Sequence, residues 1–171
     1  GKGVLRHVIG RIGQSGWMII LVTATEHLPH QEKWVEKLTE RVPQVETIVH
    51  NVNGKRTNVI LGPKNSVLHG DGTITDHIKD LRFTLSPHSF FQVNPEQTTV
   101  LYDQALAYAD LKGTEIVIDA YCGTGTISLF LAHKAKHVIG IEIVEPAIIN
   151  ARENARRNGY DNTESVSYTH L

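Results

Sequence analysis

Up to about Ser86 the apolar positions come in short, β-branched runs over residues 4–9, 17–23, 46–52, 58–61, 66–68 and 81–85. Turn-forming clusters separate them, at Gly13-Gln14-Ser15-Gly16, Asn53-Gly54-Lys55 and Asp71-Gly72. This pattern predicts strands and hairpins. One helix interrupts them, because after Pro29 the residues Trp34, Leu38 and Val42 recur at helical spacing while Glu32, Lys33, Glu36 and Lys37 fill the other faces, until Pro43. Beyond residue 93 the pattern changes. Asn94-Pro95-Glu96-Gln97 offers a capping asparagine, proline at the first helical position and glutamine at the third, so a helix is expected to about Ala109, burying Leu101, Ala105 and Tyr108. Residues 115–120 then read as an apolar strand, 126–134 as a helix, 137–143 as a second strand and 146–158 as a second helix closed by Gly159. Such alternation is a β-α-β-α unit of a doubly wound α/β sheet. The expected domains are 1–86, β-rich, and 87–171, α/β, with the change of pattern near 86–93.

Composition narrows the picture a little. Of 171 residues, 40% are hydrophobic and 20% charged, as in ordinary globular proteins, and the longest apolar run, 17–22, is too short for a membrane span or a signal peptide. A single cysteine, Cys122, excludes an internal disulfide and any multi-cysteine metal site, which points to a reducing, cytoplasmic setting. Ten histidines lack acidic or thiol partners at ligand spacing, so no metal site is expected. The net charge of −1 gives no global sign of nucleic acid, and nothing indicates a protein partner. The chain is already in apolar alternation by Val4 and stops within an expected third strand, so both ends read as cuts.

The strongest chemical signal is Asp119-Ala120-Tyr121-Cys122-Gly123-Thr124-Gly125-Thr126, where the apolar strand turns into a helix. Glycines there let the backbone approach a ligand, and amides at a helix start favour an anionic or polar group. Glu142 follows at the end of the next strand, 23 residues beyond Asp119, where an acid accepts hydrogen bonds from both hydroxyls of a ribose. Two cofactor classes fit. A dinucleotide would call for a third glycine where this chain has Ser128, so S-adenosyl-L-methionine is favoured.

These residues resemble the RNA uracil-5 methyltransferases, within them the bacterial 23S ribosomal RNA branch. The matching stretches are Ser86-Pro87-His88-Ser89-Phe90-Phe91-Gln92-Val93-Asn94-Pro95-Glu96-Gln97, the loop from Asp119 to Thr126, Gly140-Ile141-Glu142, and residues 147–159 around Asn150-Ala151-Arg152-Glu153-Asn154-Ala155. The resemblance implies an incomplete class I S-adenosylmethionine methyltransferase fold, Rossmann-like, preceded by a β-rich α+β central domain that faces RNA. It implies cofactor-binding roles for Gln92, Asp119, Tyr121, Gly123, Gly125, Thr126 and Glu142. Tyr121 and the backbone of 123–126 would enclose the methionine end, Glu142 would hold the ribose, and Gln92 would either contact the cofactor or cap the following helix. In that family a cysteine thiolate adds to carbon 6 of uracil and a carboxylate removes the carbon 5 proton. Both lie downstream of the residues present here, so this span is expected to be inactive alone. Cys122 is read as a packing residue, and Phe90 and Phe91 as core. Lys2, Arg6, Arg11, Lys55, Arg56 and Lys64 are candidates for RNA contact, and Arg152, Arg156 and Arg157 are placed to favour a helix macrodipole. Residues 165–171 depart from the resemblance and read as foreign or frame-shifted. A dinucleotide oxidoreductase and a non-catalytic RNA-binding module are the competing readings.

Overall fold

The structure, a computed structural model, describes residues 3–92 and 94–167. The chain divides into two compact units, residues 1–75 and 76–171.

The first unit holds β1 (Leu5–Ile12), β2 (Trp17–Thr23), α1 (Gln31–Arg41), β3 (Val45–Val52) and β4 (Lys64–His69), with a sheet in the order β1-β2-β3-β4. β1 and β2 run antiparallel, as do β3 and β4, while β2 and β3 are parallel and joined through α1. Parallel neighbours need such a crossover, and the helical spacing of Trp34, Leu38 and Val42 supplies it. Ile19, Leu21, Leu28, Val45 and Ile48 form a core cluster against which Val35 and Leu38 of the helix and its C-cap Val42 pack. Residues 58–61 are not the expected strand. The side chain of Asn51 binds both the N–H and the C=O of Gly62, and that of Asn53 donates to the carbonyls of Val59 and Ile60. These amides occupy the groups a partner strand would use, so β-branched residues are held as an irregular loop.

β5 (Ile74–Ile78), which sequence patterning missed, begins in the first unit and crosses into the second, where it pairs with β6 (Leu81–Leu85). Its two-residue link to β6 turns at Lys79, φ 54°. The expected change of domain lay further along, near 86–93. β6 is β-rich by sequence, yet its backbone and side chains bond to residues 154, 157 and 158 of the second unit.

The second unit continues with α2 (Pro95–Ala109), β7 (Ile116–Ala120), α3 (Thr126–Ala132), β8 (His137–Glu142), α4 (Glu145–Arg157) and β9 (Thr163–Ser167). β7, β8 and β9 form a parallel sheet in that order. Asn94 caps α2 as expected, its side chain accepting from Gln97 N at 3.1 Å. The buried face of α2 is not the expected one: Leu101 and Tyr108 are exposed, and Thr98 and Tyr102 are buried. Tyr102 packs edge-on against Phe130 of α3 with ring centroids 5.1 Å apart, while its hydroxyl lies 3.2 Å from Thr126 Oγ1. A residue with a polar tip is buried there because α3 offers both an aromatic face and a hydrogen-bond partner. Of residues 165–171, read as foreign, 165–167 extend the sheet as part of β9; 168–171 lie outside the described residues. No described helix is long and apolar enough to cross a membrane.

Candidate functional site

The loop after β7 changes direction through three left-handed residues, Tyr121 (φ 63°), Gly123 (φ 57°) and Gly125 (φ 80°). For glycine this is unstrained, but a tyrosine in that region costs about 1–3 kcal/mol and persists only where its surroundings over-determine it. Its ring is almost fully exposed beside the strand ends. Cys122 is turned the other way and buried; its N–H donates to Ile141 O at 3.0 Å. A Cβ added to Gly140 would meet Cys122 Sγ at 2.8 Å, so glycine on β8 is what admits the cysteine beneath the loop. Burial, assisted by the carboxylates of Asp119 and Glu142, pushes the Cys122 thiol up to about 12. The expectation that it packs rather than reacts agrees with this geometry.

Glu142 ends β8. Its Oε1 accepts from Ile143 N at 2.7 Å and Val144 N at 2.9 Å, and its Oε2 accepts from Gly123 N at 3.1 Å. The carboxylate is thereby fixed against the glycine loop at the carboxyl ends of two adjacent parallel strands, where open α/β sheets bind ligands. A carboxylate has about four acceptor positions, so capacity remains for a ligand hydroxyl. Asp119 accepts a short hydrogen bond from Ser128 Oγ. Desolvation raises the pKa of Asp119 and that bond opposes the rise. Ser128 thus has a structural partner where a dinucleotide fold would place its third glycine.

The loop has room and donors for a bulky polar ligand. A Cβ at Gly123 would meet nothing within 4 Å, and the buried Thr124 Oγ1 has no hydrogen-bond partner among the described residues. Asp119, Tyr121, Gly123, Gly125, Thr126 and Glu142 are therefore gathered at one end of β7 and β8. Gln92 is half-buried in the segment before α2, whose cap is supplied by Asn94. Of the two phenylalanines expected in the core, Phe91 packs against Phe83 with centroids 5.7 Å apart, whereas Phe90 is exposed. Sequence reasoning missed Asn150 and Asn154, which bond to the segment from Ser86 and to the glycine loop. Their four-residue spacing was the available signal.

Among the basic candidates, Arg6 donates to the carbonyls of Asn53 and Lys55, and Lys64 pairs with Glu26. Burial lowers the pKa of Arg11; Lys2 lies outside the described residues. Arg156 and Arg157 do occupy the last turn of α4, but both bind Glu153, while Arg152 sits further back and donates to Ser165 O. Among the described residues no group of three or more His, Cys, Asp or Glu could hold a metal ion.

Residues 111–166 match the model of a methyltransferase domain. An uncharacterized RNA methyltransferase of Halalkalibacterium halodurans is 55% identical over 95% of this chain, and one of Oceanobacillus iheyensis is 54% identical over 95%. The chain spans 36% of the length of each of these curated relatives. Among solved structures, the tRNA (uracil-54, C5)-methyltransferase of Pyrococcus abyssi, in complex with S-adenosyl-L-homocysteine, superposes with a TM-score of 0.76 at 27% identity, over 97% of this chain and 40% of that one. The strand-loop-helix arrangement around Glu142, the match over residues 111–166 and this superposition establish a Rossmann-like methyltransferase fold preceded by a β-rich α+β region.

Proposed function

We propose that the chain is the cofactor-binding part of an S-adenosyl-L-methionine-dependent RNA methyltransferase that methylates carbon 5 of uridine, with 23S ribosomal RNA as substrate. The observation that carries this is the Glu142 carboxylate pinned by three backbone amides beside a loop with three left-handed residues. The names of the similar proteins support the reaction class, and the uracil-C5 enzyme among the solved structures supports the base. The ribosomal substrate is supported by the Ser86–Gln97 stretch that resembles that branch.

Glu142 holds the ribose through a hydroxyl. Tyr121 and the backbone of residues 123–126 enclose the methionine end, Asp119 steadies the loop through Ser128, and Gln92 approaches from the segment before α2. The cofactor, when bound, supplies a methyl group on a sulfonium. Cys122 does not serve as the nucleophile, because a buried thiol pushed up to about 12 holds its proton at neutral pH. In the family that the chain resembles, the cysteine and carboxylate of the reaction lie downstream of the matching stretches, so the role assigned to these residues is to hold the cofactor. One buried free cysteine suits the reducing environment of the cytoplasm.

RNA phosphates meet the first unit at a cleft lined by Gly3, Leu5, Arg6, His7, Ala24, Gly54 and Arg56, which contains basic side chains and no carboxylate. Calorimetric titration tests the cofactor assignment: S-adenosylhomocysteine binds, NAD does not, and Glu142→Ala weakens binding about tenfold or more. Undiminished affinity in that variant would refute it. For the base, the full-length Halalkalibacterium halodurans relative should trap covalently on ribosomal RNA containing 5-fluorouridine, because fluorine blocks the final elimination; no adduct would count against uracil C5.

A further inference from the structure

Helix α4 carries asparagine at 150 and 154 and ends on a third, the C-cap Asn158; the four-residue spacing puts all three on one face. Alongside run Arg82, Thr84 and Ser86, one every two residues in and just after β6. Four residues advance a helix by about 6 Å and two advance a strand by about 6.6 Å, so the two rows stay in step. They are bonded rung by rung. Asn158 Oδ1 accepts from Arg82 N at 2.8 Å and its Nδ2 donates to Arg82 O at 2.7 Å. Asn154 Oδ1 accepts from Thr84 N at 2.8 Å, and Asn150 Nδ2 donates to Ser86 Oγ at 3.1 Å and Ser89 Oγ at 3.0 Å. The amides of Asn154 and Asn158 thus partner backbone groups of β6, and that of Asn150 the hydroxyls just beyond it.

The middle rung does something more. Asn154 is fully buried, and the Nδ2 not needed for β6 donates to Thr124 O at 3.0 Å in the glycine loop. The same helix supports the loop sterically, since a Cβ at Gly125 would stand 3.2 Å from Ala151 Cβ. We propose that Asn154 is a positioning residue for the cofactor: by holding the Thr124 carbonyl it sets the peptide planes of the loop, and through Gly123 the contact with Glu142, before the ligand arrives. Asn150, on the next rung, ties down the segment that leads to Gln92. One side chain thus connects β6, α4 and the ligand loop. The inference rests on the reading that this loop binds S-adenosylmethionine.

The test is a calorimetric titration of S-adenosylhomocysteine into the chain, Asn154→Asp, Asn154→Ala and Asn158→Ala, with the thermal midpoint of each recorded. Asn154→Asp keeps size and acceptor but loses the donor facing Thr124 O, whereas Asn158→Ala breaks a rung remote from the loop. The expected result is a lowered midpoint and unchanged affinity for Asn158→Ala, and affinity weakened about tenfold for both Asn154 variants, the scale of one lost buried hydrogen bond. Equal affinities in the Asn154 and Asn158 variants overturn the proposal. If the Asn154 variants do not fold, the unmodified chain decides: the side-chain amide resonances of Asn154 shift on saturation with ligand and those of Asn158 do not, and identical responses overturn it. An unmodified chain that fails to bind at all overturns the cofactor reading first, so the two failures are told apart.

Discussion

Both units use asparagine side chains in series, but at different intervals. In the first, Asn51 on β3 and Asn53 just past its end sit two apart and close an irregular loop, residues 53–62, onto the sheet. In the second, Asn150 and Asn154 on α4 and its C-cap Asn158 sit four apart and serve β6, the segment after it and the glycine loop. The interval follows the period of the element that carries the side chains. In each case a carboxamide uses its own donor and acceptor to bond chain outside its own element. The difference lies in what is held: a loop beside the basic cleft in one case, and the glycine-rich turn after β7 in the other.

The largest expected effect tests the first series. Asn51→Ala removes a side chain with no exposure and leaves both polar groups of Gly62 without their partner, a loss of about 2–4 kcal/mol in chemical denaturation. A loss below about 1 kcal/mol would mean the loop does not depend on the clamp. In the second unit the corresponding constraint is steric. Gly140→Ala drives a methyl group into Cys122 and should cost about 1–3 kcal/mol, and combining it with Cys122→Ala should cost clearly less than the sum. Strict additivity would show that the contact is not what fixes glycine there.

Tyr121→Gly sharpens the comparison from the opposite side. Removing a left-handed tyrosine should raise stability by up to about 1 kcal/mol while weakening S-adenosylhomocysteine binding, a trade that a residue present only for packing would not show. The smallest effect concerns pH in the first unit. His50, buried beside Asn51 and 2.7 Å from Thr23 Oγ1, has its pKa lowered from 6.5, first by burial and then by the positive charge of Lys64. The unfolded chain therefore binds a proton before the folded one does. Its contribution to stability is complete above pH 6.5 and declines as pH falls below that value; in His50→Gln this part of the acid sensitivity should disappear from thermal melts.

Local pattern carried most of the elements but few of the contacts. Asn94 and Pro95 announced the start of α2, and the run 17–23 announced β2, because capping and burial of a whole strand are written in adjacent residues. Hydrophobicity ranks Leu101 above Tyr102 for the buried face of α2, whereas the fold chooses by what α3 presents, Phe130 and Thr126. β5 was missed because its sequence, Ile74-Thr75-Asp76-His77-Ile78, places an acid at a buried position. At the site, Glu142 and the glycines were legible from spacing, and the structure brings them together. The role of Asn154 was not, since half of its partners lie 70 residues earlier in the chain.

The Cys122–Gly140 contact has a practical corollary. The chain's only thiol is shielded beneath the glycine-rich loop and keeps its proton until strongly alkaline pH. An engineered surface cysteine would then be the sole group to take up a maleimide dye or spin label under neutral conditions. Probes for distance measurements can be installed without first deleting the native sulfur and disturbing the turn it underpins.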